Sequence, residues 1–287
     1  MSSALPPNLR DLWLRAVCRP GETEARQSCL VELSEYTGLP LEVVERRCEG
    51  AVEEQRSQWY ENDRSTPNAL IEFYNDCDAY IFELLWWHAL QQGDAPGWNA
   101  RLLTLAREYG VKRYLDFGAG IGTNGILLAG DGIEVTLADI SDVMQRFARW
   151  RLERRQIRAS FIDLKVTALE REHYDMISAV DVLEHVPDPI ETLEQLTEAL
   201  APGGLLVFDL IASAHDANRP FHLLRSKYPI RSRIRSLGYT HVESFQKYLV
   251  YRKTRRSPLS NRLVGSWDRL RWRTYYLLQG QWPRTRR

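Results

Sequence analysis

The spacing of apolar positions changes character near residue 110. Before that point they recur every three or four residues, which predicts helices over 9–17, 23–36, 41–60, 67–91 and 96–109. Breakers separate these segments at Pro20-Gly21, Thr37-Gly38, Ser65-Thr66-Pro67 and 93–97, and Pro67 suits a first helical position. Beyond residue 110, short apolar runs alternate with helical stretches. The runs cover 113–117, 133–138, 159–162, 174–180 and 205–210. Helices are expected at 142–155, with Ser141 as N-cap, and at 189–201 and 230–237. Such alternation predicts an α/β fold: a mainly parallel sheet with helices on both faces. Two strand-like stretches, 240–244 and 247–253, lie too close together for a parallel crossover and are expected to pair antiparallel. The chain thus reads as an all-helical region at 1–109, an α/β region at 110–254 and an extension at 255–287.

The densest chemical signal is Arg113-Tyr-Leu-Asp-Phe-Gly-Ala-Gly-Ile-Gly-Thr-Asn-Gly125. It reads as a strand with an acid near its end, a glycine-rich loop and a helix start. Glycine lets the backbone turn tightly and lets a ligand lie against it. Amides of the loop and of the helix start can then face that ligand. The dinucleotide pattern Gly-x-Gly-x-x-Gly fails when counted from Gly118, because its third position is Thr123. Counted from Gly120 it matches at Gly120, Gly122 and Gly125, but two residues late. Acid-x-Gly-x-Gly-x-Gly fits better, at Asp116, Gly118, Gly120 and Gly122. This resembles motif I of class I S-adenosylmethionine (SAM) methyltransferases.

The later runs extend the resemblance. Asp139 ends the second run, Asp163 ends the third, and the fourth leads into Asp181-Val-Leu-Glu-His-Val-Pro-Asp-Pro189. That segment is similar to the one after strand four in the small-molecule branch, which includes the quinone-pathway O-methyltransferases. The Pro202-Gly-Gly turn before the fifth run and the terminal hairpin are further family features. Over 111–253 the resemblance implies a Rossmann-like, seven-stranded, mainly parallel sheet ending in an antiparallel hairpin. It implies SAM as cofactor, with Asp139 accepting from both ribose hydroxyls and Asp163 from the adenine amino group. A carboxylate has two acceptor oxygens and a vicinal diol two donors, so the first pairing is chemically sound. Asp116, Gly118, Ala119, Gly120, Gly122, Ile140, Leu164 and Asp181 complete the implied cofactor site. Ligands of such sheets bind beyond the C-terminal strand ends, where Asp116, Asp139, Asp163 and Asp181 are expected to meet.

Methyl transfer is an in-line displacement, so the protein mainly holds nucleophile and methyl in line. A hydroxyl nucleophile also has to lose a proton, and His185 is the candidate base because histidine titrates near neutral pH. A variant of the reading, implied by the quinone-pathway relatives, gives Asp181, Glu184 and His185 a divalent metal that lowers the pKa of an acceptor hydroxyl. Aromatic residues crowd 67–91, with Phe73, Tyr80 and Trp87 at seven-residue spacing. Most are core positions, but aromatic faces attract a sulfonium cation, so Trp59, Tyr60, Tyr74 and Tyr80 are lid candidates. His222 and His215 follow the fifth run, where substrate residues of the family often sit. His88, His173 and His241 belong to no motif and read as packed or solvated.

A zero net charge conceals polarity along the chain. Residues 1–100 hold 8 basic and 17 acidic side chains, and 252–287 hold 11 basic and one acid, Asp268. Around Thr37-Gly-Leu-Pro-Leu41, where a helix-turn-helix is conceivable, acids outnumber bases, which argues against nucleic acid as a partner. The tail repeats Leu263, Trp267, Leu270 and Leu277 or Leu278 near helical spacing among Arg262, Arg269 and Arg273, with Trp272, Tyr275, Tyr276 and Trp282. It reads either as a helix docked on the acidic N-terminal region or as an interfacial helix. Cys18, Cys29, Cys48 and Cys77 form no Cys-x-x-Cys pair and read as reduced, buried thiols. No leader peptide and no run of about 20 apolar residues is visible. The combined expectation is a cytoplasmic enzyme methylating a small organic molecule, with O-methylation favoured. The alternatives are a lipid or isoprenoid acceptor reached by peripheral contact of 255–287 with the inner membrane face, and a non-catalytic SAM-binding subunit.

Overall fold

A computed structural model describes residues 7–62, 66–90, 95–212, 220–254 and 258–278. The chain divides into two compact units, 1–168 and 169–287. In chain order the first unit contains α1 (Pro7–Val17), α2 (Ala25–Thr37), α3 (Leu41–Glu61), α4 (Pro67–Asp76), α5 (Ala79–Leu90), α6 (Ala95–Glu108), β1 (Arg113–Phe117), α7 (Thr123–Ala129), β2 (Glu134–Asp139), α8 (Asp142–Arg154) and β3 (Ser160–Asp163). The second contains β4 (Tyr174–Ala179), α9 (Pro189–Ala199), β5 (Leu200–Asp209), α10 (Tyr228–Arg233), β6 (Tyr239–Phe245), β7 (Tyr248–Lys253) and α11 (Pro258–Leu278). The seven strands make a mainly parallel sheet, ordered β3-β2-β1 in the first unit and β4-β5-β7-β6 in the second. β7 runs antiparallel to both β5 and β6, as the short connection requires.

Local chemistry explains most boundaries. Glu24 accepts the Gln27 amide to start α2, which ends on Gly38 in the left-handed region (φ 73°). Thr66 caps α4 with Pro67 at its first position, Ser141 caps α8, and Asp188 caps α9 through the Ile190 and Glu191 amides.

Three boundaries differ from the periodicity. The single helix expected over 67–91 is broken between Asp76 and Ala79. Asp78 at the break is held by a bidentate pair with Arg47 of α3, at 2.8 and 3.1 Å, so a tertiary bond overrides the local pattern. Tyr80 therefore falls on a second helix, which starts at Ala79, and Trp87 on it is exposed. β5 begins at Leu200, before the Pro202-Gly-Gly turn, and its register against β4 shifts there. A Cβ on Gly204 would lie 2.9 Å from the Asp175 carbonyl oxygen, so the backbones approach too closely for any other residue. α10 starts at Tyr228 and takes Pro229 into its first turn, where the missing N–H costs no hydrogen bond. Gln91 and the 93–94 part of the expected breaker lie outside the described residues.

The helical region and the glycine loop share one core. Cys29, Leu33, Val44, Phe82 and Leu85 from α2, α3 and α5 pack with Ile121 of the loop and Phe147 of α8. Through that core passes Arg151 of α8, fully buried. Its Nη1 donates to the Ile121 carbonyl and the Thr123 hydroxyl, both at 2.9 Å, and its Nη2 to the Ala16 carbonyl at 3.3 Å. Glu32 of α2 supplies the counter-charge, 3.3 Å from Arg151 Nε and ion-paired with Arg155 as well. All four cysteines are free and buried, as expected.

Candidate functional site

β1, β2 and β3 bring the implied cofactor residues of the first unit to one edge. Gly118, Gly120 and Gly122 have φ of 70°, 52° and 76°, a region that only glycine enters cheaply. The Gly118 and Ala119 amides donate to the Ala138 carbonyl at 2.8 and 3.1 Å, so the loop folds back over the end of β2. The Gly120 amide donates to Asp139 Oδ2 and the Ser141 amide to Asp139 Oδ1, both at 2.8 Å. Burial pushes the Asp139 carboxyl above its usual value, and the two amides work against that rise. Each of its oxygens accepts one amide and keeps a second acceptor direction, which fits a ribose diol.

Asp139 and Asp163 are register partners in the β2–β3 pair. Lys165 staples this corner. Its Nζ donates to the Ile140 carbonyl and to Asp142 Oδ1 at 2.7 Å and lies 3.2 Å from Asp163 Oδ1. The Leu164 amide donates to the Asp139 carbonyl at 3.0 Å. Ile140 and Leu164 are half-buried. Asp116 is buried within β1 and accepts the Tyr114 hydroxyl at 3.1 Å.

The helices before β1 reach the same corner. Ser141 Oγ donates to the Tyr74 carbonyl at 2.7 Å, and the Asp142 amide to Asn75 Oδ1 at 3.1 Å, which ties the end of α4 to the turn after β2. A Cβ on Gly120 would lie 3.2 Å from Leu84 Cδ1 of α5. Tyr74 and Tyr80 are buried with ring centroids 5.6 Å apart, and Trp59 stacks edge-on to Phe73. Tyr60, by contrast, is 58% exposed. Three of the unassigned histidines are packed or bonded locally. His88 Nδ1 lies 3.0 Å from Thr123 Oγ1, His173 lies 3.2 Å from Glu170, and His241 lies 2.8 Å from Ser244. His215 lies outside the described residues.

The second unit holds a cluster after β4. Asp181 adopts φ 53°, and its amide donates to Asp209 Oδ1 at 2.8 Å. Lys247, in the two-residue turn between β6 and β7, donates to both Asp181 oxygens at 2.7 and 2.6 Å and lies 3.1 Å from Asp209 Oδ2. Glu184 is fully buried, and its carboxyl has no hydrogen-bond partner among the described residues. Burial, with Asp209 and Asp181 nearby, pushes it up to about 9. The His185 and His222 rings meet edge-on at 4.9 Å, and Phe221 stacks on His185 at 5.7 Å. Burial, with His222 beside it, pulls His185 down to about 4, well below the near-neutral value expected of a histidine base. The Glu184 carbonyl accepts the Leu223 amide at 2.6 Å, which anchors the His222 segment.

Possible ligand atoms of Glu184, His185 and His222 lie within 4.8 Å of one another, as do those of Asp181, Glu184 and Asp209. Of the cation set read from the sequence, Glu184 and His185 fall in the first group with His222, and Asp181 and Glu184 in the second with Asp209. Lys247 is ion-paired with Asp181 and Asp209 of the second group. One buried and one half-buried imidazole with a buried carboxyl suit a transition-metal dication. Sequence reasoning missed Lys165, Arg151, Asp209 and Lys247. Only Asp209, an acid inside an apolar run, carried a visible signal.

The methyltransferase domain family matches residues 87–248, more than half of the chain. The ubiquinone biosynthesis O-methyltransferase of Nitrosospira multiformis is 34% identical over 103 residues, 35% of this chain and 43% of that protein. The enzyme of the same name from Coxiella burnetii is 31% identical over 102 residues, covering 35% and 44%. The match spans less than half the length of either relative. A solved phosphoethanolamine N-methyltransferase 2 of Haemonchus contortus, in complex with SAM, has a similar fold (TM-score 0.50, 20% identity, 74% of this chain and 50% of that one). The strand order, the glycine loop after β1 and the match over 87–248 lead to one assignment: the chain belongs to the methyltransferase domain family, as a class I, SAM-dependent member.

Proposed function

We propose that the first unit binds SAM across the Gly118–Gly122 loop and that the enzyme methylates a hydroxyl of a small organic acceptor. Bound SAM supplies an activated methyl group on a sulfonium. Asp139 accepts from the ribose hydroxyls, Asp163 and Leu164 face the adenine, and the loop amides of Ala119 and Gly120 line the amino-acid end. Tyr74 and Tyr80 close this corner and exclude water. The observation that carries the reading is the Asp139 carboxylate, fixed by the Gly120 and Ser141 amides at the end of β2. The O-methylation preference is supported by the named activity of the Nitrosospira and Coxiella relatives.

The Glu184 carboxyl, buried without a hydrogen-bond partner among the described residues, supports a second element. Glu184, His185 and His222 would hold a divalent cation, whose chemistry would be to lower the pKa of an acceptor hydroxyl. In this reading His185 is a ligand rather than a free base. Asp181 is a structural partner of Lys247.

Titration calorimetry with SAM and S-adenosylhomocysteine, followed by transfer of labelled methyl to catechols, phenols and amines, tests the reaction. Binding without transfer to any hydroxyl acceptor would leave the cofactor assignment and overturn the acceptor. Equilibrium dialysis with manganese and zinc tests the cation site. Stoichiometric uptake, lost in His222→Ala, is expected. Equal uptake by wild type and variant would refute the site.

A further inference from the structure

The last helix presents two faces of opposite character. At about 100° per residue, Asn261, Gly265, Asp268, Trp272 and Tyr276 fall on one side of α11. That side is docked. Gly265, Asp268 and Tyr276 are buried, the Tyr276 hydroxyl accepts from Arg231 of α10 at 3.3 Å, and Asp268 pairs with Arg235 at 3.4 Å. Within the second unit its contacts are to basic α10 and the turn after it, through edge-on packing of Tyr276 on Tyr228 and the close approach at Gly265.

The opposite side of the helix carries Leu263, Trp267, Leu270, Leu277 and Leu278. They are 70%, 76%, 57%, 51% and 81% exposed. Five large apolar side chains in a line, at spacings of four, three, seven and one, exceed the scattered exposed leucine of an ordinary surface. Exposed Arg271 borders this stripe on one flank, and exposed Arg269 and Arg273 on the other. The helix's only acid, Asp268, is spent on Arg235 at the docked face. The outward surface is therefore apolar and aromatic at its centre and purely cationic at its edges.

We propose that this face of α11 is a membrane-surface anchor that lies flat on an anionic bilayer. Apolar residues entering the acyl boundary between flanking arginines at headgroup level are what such a surface accommodates. Charge decides against a second protein surface as the occupant. A protein partner would have to supply acids on both flanks of an apolar strip, whereas an anionic leaflet supplies them everywhere. No helix among the described residues is long and apolar enough to cross a membrane, so the contact is peripheral. The inference does not rest on the identity of the methyl acceptor.

The test is sedimentation of the full chain with vesicles of pure phosphatidylcholine and with vesicles containing 30% phosphatidylglycerol. Binding to the anionic vesicles is expected, weakened by salt and weak on the neutral ones. Arg269→Gln with Arg273→Gln should lower the anionic partition roughly 30-fold, about fivefold per arginine. Leu263→Ser with Trp267→Ser should abolish binding. All four positions are exposed, so thermal melting of the variants should match wild type and exclude misfolding. Equal partition of wild type and both variants, or wild-type binding to neither vesicle, would overturn the proposal. So would concentration-dependent dimerisation that the Leu263→Ser, Trp267→Ser variant abolishes without any vesicle binding.

Discussion

The Gly120 amide donates to Oδ2 of Asp139 at 2.8 Å, so a side chain at the end of β2 fixes the loop that leaves β1. Replacing Asp139 by alanine removes that anchor, the acceptor for Ser141 and the proposed ribose acceptor together. The dissociation constant for SAM should rise at least tenfold in calorimetry, with a loss of about 1–3 kcal/mol of stability from the orphaned amides. An unchanged constant would remove the ribose role.

Gly120→Ala should be costly although it adds one methyl. The residue would have to hold φ 52°, with its Cβ 3.2 Å from Leu84 Cδ1. A loss of about 1–3 kcal/mol is expected from the backbone alone. Urea denaturation reads the stability, and SAM affinity should fall in parallel.

Glu32 compensates a guanidinium from which water is excluded. Burial alone would raise its pKa, but Arg151 and Arg155 more than reverse this and hold it below the usual carboxylate value. Arg151 is itself lowered by burial, to about 10, and stays charged at neutral pH. Glu32→Gln should cost about 3–5 kcal/mol. Because the folded pKa lies below the unfolded one, the stabilisation is present above the unfolded value. It is lost as pH falls below the unfolded value and through the folded one. Melting temperature against pH should fall more steeply there in wild type than in the variant; equal slopes would count against the ion pair.

Lys247→Met leaves Asp181 and Asp209 facing each other without their shared cation. Asp181 is 38% exposed, so water screens part of the loss, and about 1–3 kcal/mol is expected rather than the larger cost of a fully buried pair. Calorimetric melting measures it, and a variant as stable as wild type would show the cluster to be neutralised by other means.

Gly265→Ala tests how α11 is held. Its Cβ would fall 2.3 Å from Ser236 Cβ, so the helix has to lift from the turn after α10. Hydrogen exchange over 258–278 should speed up markedly while exchange in β5 stays unchanged.

The sheet was legible because strand periodicity, turn chemistry and the glycine loop agree at each point. Even the antiparallel hairpin follows from a connection too short for a crossover. The break at Cys77-Asp78 was not legible, since the bond to Arg47 that makes it comes from thirty-one positions away. The site divides in the same way. Asp139 and Asp163 announce themselves at strand ends, whereas Lys165 and Lys247 act through long side chains whose targets no local pattern encodes. His222 was expected on the substrate side, and its pairing with His185 depends on a hydrogen bond from the Leu223 amide to the Glu184 carbonyl across a long connection.

Arg151 touches Ala16, Glu32, Ile121 and Thr123 at once, so the first hundred residues are no interchangeable cap. A swap that imported a relative's leading segment would have to import an acid at position 32 and a carbonyl at position 16, or strand a charge inside the protein. The segment that carries Tyr74 and Tyr80 is therefore bound to the glycine loop by a charge that neither side can lose alone.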